Sequence, residues 1–534
     1  MINRIIIKGY RLFDEFELEP NDGVNIIVGD NEAGKSTLLE AIALALTGRI
    51  GGRWAGDELN PYWFNQAAVK SYFESLGTSS PLPPPEILIE LYLSNEDDKL
   101  QEMFGVHNSL QLKAPGIRIR IAPSPAYREE FADYMAAEDR PNILPTEWYE
   151  VDWRDFSDER LTRRPKSLGI ATVDSRTIRS TSGVDHQTRE MITDFIEPKE
   201  MAAVSVAHRS ARHRISTEAL QTANQRIAGQ GHAFYDRPIG LHMDQSAGSS
   251  WANNIVPQVS DVPFAMAGQG QQAAIKVALA MNRSTEKTAF VLVEEPENHL
   301  SYTSLTKLVS RIDDLARGRQ VFLTTHSSYV LNRLGLDKLV LLHRGVRASF
   351  RDLRPDTVKY FKRLSGYNTL RHVLADKVVL VEGPTDEMVF QRAFRDSHGG
   401  KSPIELGIDV VSTAGLAFAR GLELCAALDR RVAVVRDNDG KNPDHWRAPL
   451  KAWLKSEVRE VFIGNPGDGK TLEPQFLNIN DEKALRELFE VSDDSKTTLD
   501  WMTGNKTEWG LMLAESNLAV KYPQYLMDAI DFIS

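Results

Sequence analysis

The chain of 534 residues is 42% hydrophobic and 26% charged, a composition typical of a globular protein with room for about three to four domains. No apolar run approaches the roughly 18 residues of a membrane span, and the start MINRIIIKGY lacks the features of a signal peptide. The single cysteine, Cys425, excludes a disulfide framework and a thiolate zinc site, so we expect a cytoplasmic protein without a membrane partner. The net charge of −11 gives no support to a nucleic-acid partner, although it is compatible with local basic patches and with an acidic metal site.

Short apolar strands are the first predicted elements. Residues 2–7 and 16–18 are expected to enter the same sheet as the strand that ends at Val28. Residues 86–93 alternate between polar and apolar side chains, which predicts a half-buried strand. The sequence pattern from 100 to 165 is mixed and predicts no definite secondary-structure element.

A phosphate-binding loop follows the first apolar strands. In VNIIVGDNEAGKST, Gly29 to Ser36 fill the pattern G-x-x-x-x-G-K-[ST] between a strand and a helix-periodic segment. Backbone N–H groups of such a loop surround the phosphates, Lys35 reaches the outer phosphates, and Ser36 offers its hydroxyl to Mg²⁺. A plain turn is the alternative, which the flanking strand and helix disfavour. ATP is therefore the expected cofactor, and its predicted ligands in this loop are Gly29, Asn31, Gly34, Lys35, Ser36 and Thr37.

Residues 185–255 change character and predict helices followed by a loop. Basic side chains gather between His208 and Arg214. A solvated helix face explains this cluster, and a dimer element or a DNA-facing surface explains it as well.

Two further apolar strands end in polar residues that suit nucleotide hydrolysis. The first ends in Glu294 and Glu295. We expect Glu294 to hold the Mg²⁺ shell and Glu295 to polarise the attacking water. The second ends at His326, where a side chain can sense a γ-phosphate. A glycine turn and an amphipathic helix, FAMAGQGQQAAIKVALAM, precede both strands.

With these motifs in this order, the chain resembles the ATP-binding-cassette ATPases of the SMC and RecF kind. The resemblance implies that Gly268–Gln272, including Gly270, stands at the signature motif, that Glu295 is the catalytic glutamate and that His326 is the switch histidine. It also implies an ATPase site completed by a second copy. The signature serine is missing, and Glu294 replaces the usual Walker B aspartate. The absence of a long heptad arm argues against a DNA-bridging clamp.

A second chemical centre is predicted near the C-terminus. Strands at 377–381 and 432–435 run into acidic loops within a β-α-β-α-β alternation. Carboxylates at the carboxyl ends of parallel strands can converge on one edge and hold Mg²⁺ or Mn²⁺. Solvated acidic loops are the alternative for each motif taken alone. Four carboxylates suffice for two cations that clamp a phosphodiester, and the predicted ligands are Glu382, Asp386, Asp437 and Asp439.

These residues resemble the Toprim domain, and an ATPase of this kind followed by Toprim is the arrangement of the OLD-family nucleases. That family (overcoming lysogenization defect) includes the A subunit of the Gabija phage-defence system. The resemblance implies a further acidic ligand, which Glu473 matches and for which Asp468 is a competitor. It also implies a catalytic lysine, which Lys506 matches, and which stabilises charge on the phosphate.

The leading hypothesis is an ATP-regulated, metal-dependent DNA endonuclease of the OLD family in anti-phage defence. Its expected partners are DNA, a second copy or a higher homo-oligomer, and a separate helicase or reverse transcriptase. A RecF- or SMC-like repair scaffold with a structural Toprim domain, and a nucleotide sensor that gates a partner protein, are the alternatives. The expected α/β fold is a cassette-type ATPase with a helical insertion before a parallel-sheet Toprim domain. The predicted divisions are 1–184 and 256–372 for the ATPase, 185–255 for the insertion and dimer element, and 373–534 for Toprim.

Overall fold

A computed structural model describes most of the chain. The described residues are 1–95, 98–137, 139–174, 195–230, 239–244, 251, 255–259, 261–282, 288–298, 300–343, 346–349, 353–363, 371, 374–413, 418–491 and 496–534. They form two compact units: Met1–Thr325 with Leu342–Arg347, and His326–Leu341 with Ala348–Ser534. Among the described helices, none is long and apolar enough to cross a membrane.

The strands and α-helices of the described residues are as follows. The strands are β1 (Ile2–Tyr10), β2 (Phe13–Leu18), β3 (Val24–Gly29), β4 (Arg49–Ile50), β5 (Arg53–Trp54), β6 (Ile87–Leu93), β7 (Phe104–Gly105), β8 (Ala114–Pro123), β9 (Tyr149–Asp155), β10 (Ile170–Asp174), β11 (Gln258–Val259), β12 (Val262–Pro263), β13 (Phe290–Glu294), β14 (Gln320–Thr324), β15 (Leu339–His343), β16 (Val346–Ser349), β17 (Lys377–Val381), β18 (Ile408–Ser412), β19 (Arg431–Arg436) and β20 (Arg459–Ile463). The helices are Lys35–Thr47, Gln66–Ser75, Arg128–Ala136, Pro198–Arg214, Gln221–Gln230, Gln269–Asn282, Tyr302–Leu315, Ser328–Leu334, Pro355–Arg363, Pro384–Ser397, Phe418–Ala427, Pro443–Arg447, Leu472–Ile479, Glu482–Leu488, Thr498–Gly504, Lys506–Glu515 and Gln524–Ile533.

The first unit contains an antiparallel sheet in the order β2-β1-β6-β8-β7, with β9 paired to β8. We expected β1 and β2 to join the sheet of the P-loop strand, and that prediction is wrong. A tight turn at Arg11, where φ is 49°, lets β2 fold back onto β1, and β6 takes the other edge of β1. The predicted strand at 86–93 exists as β6, but it is buried along nearly its whole length, because it lies inside the sheet between β1 and β8 and helix Lys35–Thr47 packs on it.

The P-loop strand lies in a parallel sheet of the same unit, where the order β10-β13-β14-β3 places β14 beside it. All six residues of β3 are buried, as are those of β13 and β14. Apolar strands that are covered on both faces are typical of parallel sheets. The carboxyl ends of these strands therefore meet at one edge, where ligand sites form.

The predicted helical insertion is present within its described residues. Helix Pro198–Arg214 continues through a π-helical turn, Ile215–Ala219, into Gln221–Gln230. Of its basic cluster, Arg212 is buried and donates to the backbone oxygen of Asp244 at 2.7 Å, whereas Arg209, His213 and Arg214 are exposed. The first part of this segment, residues 185–194, lies outside the described residues.

The second unit contains a parallel sheet in the order β18-β17-β19-β20. Helix Pro384–Ser397 and the C-terminal helix Gln524–Ile533 contribute apolar side chains to a core on one face, and helix Phe418–Ala427 covers the other face. Cys425 is fully buried within this second core, and burial raises the pKa of its thiol to about 12. The α/β class that the sequence predicted is confirmed by these alternating elements.

Candidate functional site

The P-loop has a backbone shape that two glycines make possible. Gly34 has a φ of 96°, and a Cβ at this position would lie 2.9 Å from the ring of Phe13. A Cβ at Gly29 would lie 2.4 Å from the backbone oxygen of Leu342 and 2.9 Å from Cβ of Ala33. A side chain at either position would force the loop to move, so this turn depends on glycine.

Lys35 begins the helix that follows the loop and is only 6% exposed. Its Nζ donates to the backbone oxygens of Gly29 and Asp30, each at 2.8 Å. The ammonium group therefore lies against the inner side of the loop. This is where a nucleotide phosphate would find both a point charge and the positive end of a helix.

Ser36 connects the loop to the end of β13, because its hydroxyl donates to Oε1 of the buried Glu294. A hydroxyl and a carboxylate in contact are oxygen donors of the kind that Mg²⁺ prefers. This pair therefore fits the Mg²⁺ that accompanies a nucleoside triphosphate. Of the other predicted loop ligands, Asn31 is exposed and Thr37 is half-buried in the first turn of the helix.

Glu295 has an unusual backbone conformation, with a φ of 43°. Its amide donates to the backbone oxygen of Thr324 at 3.0 Å, and its Oε2 accepts from Nδ2 of Asn298 at 2.7 Å. Non-glycine residues rarely adopt this conformation, and those that do cluster at functional sites. Gly270 lies in the first turn of helix Gln269–Asn282, and the exposed His326 is the first residue of the second unit.

The predicted acidic residues of the second unit gather at the carboxyl edge of its sheet. Strands β17 and β19 are parallel neighbours, with Leu380 opposite Val434, so Glu382 and Asp437 follow adjacent strand ends. Asp386 lies in the first turn of helix Pro384–Ser397 and Glu473 in the first turn of helix Leu472–Ile479. These four carboxylates, which come from three separate stretches of the sequence, thus interact electrostatically with one another.

Asp437 is the most perturbed of these carboxyl groups. It is 8% exposed, and its buried Oδ1 has no hydrogen-bond partner among the residues that the structure describes. Burial, and then the charges of Asp386, Glu382 and Glu473, raise its pKa to about 8. A buried carboxylate beside three others is unfavourable unless a proton or a cation compensates it.

Asp386 shows the same effect more weakly. Burial raises its pKa to about 6, and the charge of Glu473 acts in the same direction. The amide of Gly383 opposes this shift by donating to Asp386 Oδ2 at 3.0 Å, which also caps the helix. Burial likewise raises the pKa of Glu382 above its ordinary value, although Arg436 acts in the opposite direction.

Lys506 contributes a positive charge to this cluster. It lies at the start of helix Lys506–Glu515, and its Nζ is 3.2 Å from Oε1 of Glu473, which is only 3% exposed. Glu473 Oε2 accepts from the hydroxyl of Thr471 at 2.6 Å. Burial alone would lower the pKa of Lys506, but Glu473, and then Asp437 and Asp386, hold it above its ordinary value. Asp468, the competitor of Glu473, is exposed.

The structure adds two residues to this cluster that the sequence analysis did not select. Arg436 pairs with both Glu382 and Asp439. Tyr525 is buried on the C-terminal helix, and burial, followed by the charges of four of the carboxylates, raises the pKa of its phenol. Arg436 directly precedes Asp437, so its position was a usable signal. The sequence contains no comparable signal for Tyr525, because this residue lies 88 residues after Asp437 in an apolar helix.

This cluster has the donor chemistry of a divalent-cation site, although its geometry is incomplete. Among the described residues, no group of three or more His, Cys, Asp or Glu side chains is close enough to hold a metal ion as it stands. The donors are nevertheless all oxygens, and Oδ1 of Asp437 is buried without a hydrogen-bond partner in the part of the chain that the structure describes. Hard divalent cations take such donors and keep water molecules for the remaining positions. The cluster therefore fits Mg²⁺ or Mn²⁺ in its chemistry, while a complete ligand cage is not formed.

Two known families match this chain, and each match contains residues of one of the two chemical centres. Residues 24–332, more than half of the chain, match the family described as "AAA domain, putative AbiEii toxin, Type IV TA system". Residues 373–439 match the family described as "Overcoming lysogenization defect protein-like, TOPRIM domain". The predicted P-loop ATPase and Toprim folds are therefore confirmed.

Curated relatives and solved structures are more distant. The DNA replication and repair proteins RecF of Bacillus thuringiensis (strain Al Hakam) and Bacillus cereus (strain B4264) are each 28% identical over 168 residues, covering 28% of this chain and 40% of each relative. The chain thus spans about two fifths of the length of these relatives. The C-terminal region of the Burkholderia pseudomallei OLD protein is 18% identical with a TM-score of 0.25, covering 30% of this chain and 97% of that chain. The SmcHead bound to the C-winged helix domain of ScpA is 15% identical with a TM-score of 0.32, covering 65% of this chain and 97% of that chain.

The nucleotide-binding half and the acidic half thus each have a family match, in the order that the motifs predicted. The chain belongs to the family of this AAA domain and, together with the Toprim match that follows it, is an OLD-family ATPase–Toprim protein.

Proposed function

We propose that this protein is an ATP-regulated, divalent-metal-dependent DNA endonuclease. The observation that supports this most directly is Asp437, whose buried Oδ1 has no partner among the described residues and whose charge adds to that of three further carboxylates. A cation would relieve both penalties at once. The Toprim match over the same residues is consistent with phosphodiester chemistry at this edge of the sheet.

In the proposed reaction the carboxylates hold the ions and Lys506 faces the reacting phosphate. Bound ions would activate the attacking water and neutralise charge on the phosphodiester. Glu473 fixes the ammonium of Lys506 through a 3.2 Å contact, so that the charge is in place before the transition state forms. The sequence prediction of two Mg²⁺ or Mn²⁺ ions stands here as a proposal, with the ligands Glu382, Asp386, Asp437, Asp439 and Glu473.

The ATPase half is proposed to regulate this cleavage. Lys35, together with Ser36 and Glu294, would bind the phosphates and Mg²⁺ of ATP. Glu295 would then polarise the water, and Gly270 and His326 would contact the nucleotide of a closed site. As in cassette ATPases generally, we propose that a second copy of the chain completes this site.

Lys35→Ala is expected to abolish ATP binding, because the phosphates lose the point charge that lies against the loop. The measurement is the shift in melting temperature of the full chain on addition of Mg²⁺ and ATP. Lys70→Ala is the matched control, since that lysine is exposed in the same unit. An unchanged ATP shift in the Lys35 variant would contradict the P-loop assignment.

The biological setting proposed is a cytoplasmic anti-phage system. DNA would be the substrate, and the active form would be a homodimer or a higher homo-oligomer. A separate helicase or reverse transcriptase is a proposed partner. These proposals rest on the OLD-like family match.

A plasmid assay tests the proposed activity. Supercoiled plasmid is incubated with the purified chain and Mg²⁺ or Mn²⁺, with and without ATP. Nicked or linear product that EDTA prevents is the expected result. Intact plasmid under all of these conditions, from protein that still binds ATP, would favour the repair-scaffold or nucleotide-sensor alternative instead.

A further inference from the structure

Arg436 connects two of the proposed metal ligands. Its Nη2 lies 3.1 Å from Oε1 of Glu382 and 3.3 Å from Oδ2 of Asp439, and its Nε donates to the backbone oxygen of Asp437 at 3.1 Å. A single guanidinium group therefore lies between carboxylates from two different strand ends. This is where a cation shared by Glu382 and Asp439 would have to lie.

The guanidinium group is held firmly in this place. It stacks on Trp446, with Cζ 3.4 Å from the ring centroid, and lies 5.5 Å from the ring centroid of Phe418. The indole of Trp446 is itself fixed, because its Nε1 donates to the backbone oxygen of the buried Asn438 at 2.9 Å. Stacking and ion pairing leave the Arg436 side chain only 12% exposed. Such a cation is costly to displace, since it would lose cation–π contacts and two ion pairs together.

The positive charges divide the carboxylates into two groups. Arg436 compensates the charges of Glu382 and Asp439, while Asp437 keeps a buried oxygen that no described residue contacts by a hydrogen bond. Asp386 adds a second, half-buried carboxylate on the side of Asp437, while Lys506, whose charge acts on both, forms its ion pair with Glu473. Asp386 and Asp437 are therefore the carboxylates of this cluster whose negative charge is least compensated.

We propose that Arg436 holds the position of the second divalent cation, so that the resting site binds one ion, at Asp386 and Asp437. A second ion enters only when the guanidinium leaves Glu382 and Asp439. Arg436 is therefore a positioning residue that controls metal loading. The inference rests on the proposed metal site and revises its expected resting occupancy from two ions to one.

Calorimetric titration of the nucleotide-free full chain with Mn²⁺ tests the inference without measuring cleavage. The wild type is expected to bind one ion tightly, and Arg436→Gln to bind a second at least about tenfold more tightly than the wild type does. The same titration of Asp437→Asn identifies ions that bind elsewhere in the chain. Arg430→Gln is the matched control, because this arginine directly precedes β19, at the opposite end of the strand from Arg436, and pairs with Asp376 at 3.2 Å.

A second variant keeps the test decisive if Arg436→Gln does not fold. Trp446→Leu removes the stacking surface but leaves every carboxylate, so it is also expected to tighten the second ion. If the wild type binds two Mn²⁺ ions tightly, or if both variants bind only one, the proposed role of Arg436 is wrong. Either result would leave the proposed metal site in place. No Mn²⁺ on the wild type would overturn the metal site itself, and the inference with it.

Discussion

Asp437→Asn is expected to reduce DNA cleavage to background at every Mg²⁺ and Mn²⁺ concentration, while ATP binding stays unchanged. Asparagine keeps the shape of the side chain but removes the charge that interacts with Asp386, Glu382 and Glu473. Because Asp437 has a buried oxygen without a hydrogen-bond partner among the described residues, losing its charge removes the strongest attraction for a cation in the cluster. Cleavage of supercoiled plasmid over a titration of each ion measures the effect.

Without metal, Asp437→Asn is expected to raise the free energy of unfolding at pH 8. The pKa of Asp437 is raised on folding from 3.8 to about 8. The folded chain therefore binds this proton more tightly, and its stability falls as the pH rises between these two values. In EDTA we expect the Asn variant to melt at a higher temperature than the wild type at pH 8, and the two to converge near pH 4.

Asp468→Asn is the matched control for both measurements. Asp468 lies in the loop that precedes Glu473, but its side chain is exposed. It should leave cleavage and the pH dependence of melting unchanged. Cleavage by the Asp437 variant at the wild-type rate would contradict the proposed site.

Lys506→Ala is expected to slow cleavage at least about a hundredfold, which is the effect of removing one preorganised charge that faces a transition state. Metal binding should be retained or become tighter, because Glu473 loses the cation that lies 3.2 Å from its Oε1. This separates Lys506 from the metal ligands, whose loss should weaken metal binding and cleavage together. Single-turnover cleavage at saturating Mn²⁺, with Mn²⁺ titration of the same preparation, measures both quantities.

Lys483→Ala is the control for Lys506, since this lysine is exposed on the neighbouring helix Glu482–Leu488. It should cut at the wild-type rate. A Lys506 variant that also cuts at that rate would remove this residue from the mechanism. A Lys506 variant that no longer binds Mn²⁺ would instead assign it a structural role in the metal site.

Local sequence patterns predicted both chemical centres because each of their motifs is a short run of residues beside a strand. The spacing of Gly29, Gly34, Lys35 and Ser36 specifies a loop between a buried strand and a helix. The acidic residues follow apolar strands directly, and the carboxyl ends of parallel strands meet at one edge. From these facts alone, Glu382 and Asp437 could be expected to lie together, as they do.

Sheet membership could not be predicted in the same way. The apolar pattern of β1 and β2 identifies them as strands but does not identify their partners. Their antiparallel pairing with each other, and of β1 with β6, follows from contacts up to about ninety residues apart. The mixed pattern between 100 and 165 contains the strands β7, β8 and β9 and the helix Arg128–Ala136, and β8 forms on the edge that β6 supplies.

The sequence by itself thus determined the residue types of the two centres, their order and the strands that carry them. Only the tertiary structure decided which charges compensate one another. Glu473 pairs with Lys506, Arg436 lies between Glu382 and Asp439, and Asp437 is left with an oxygen that has no partner among the described residues. The reason is physical: the charge and pKa of a buried group depend on the distances to its neighbours and on its exclusion from water. Neither quantity is encoded in the local spacing of residues along the chain.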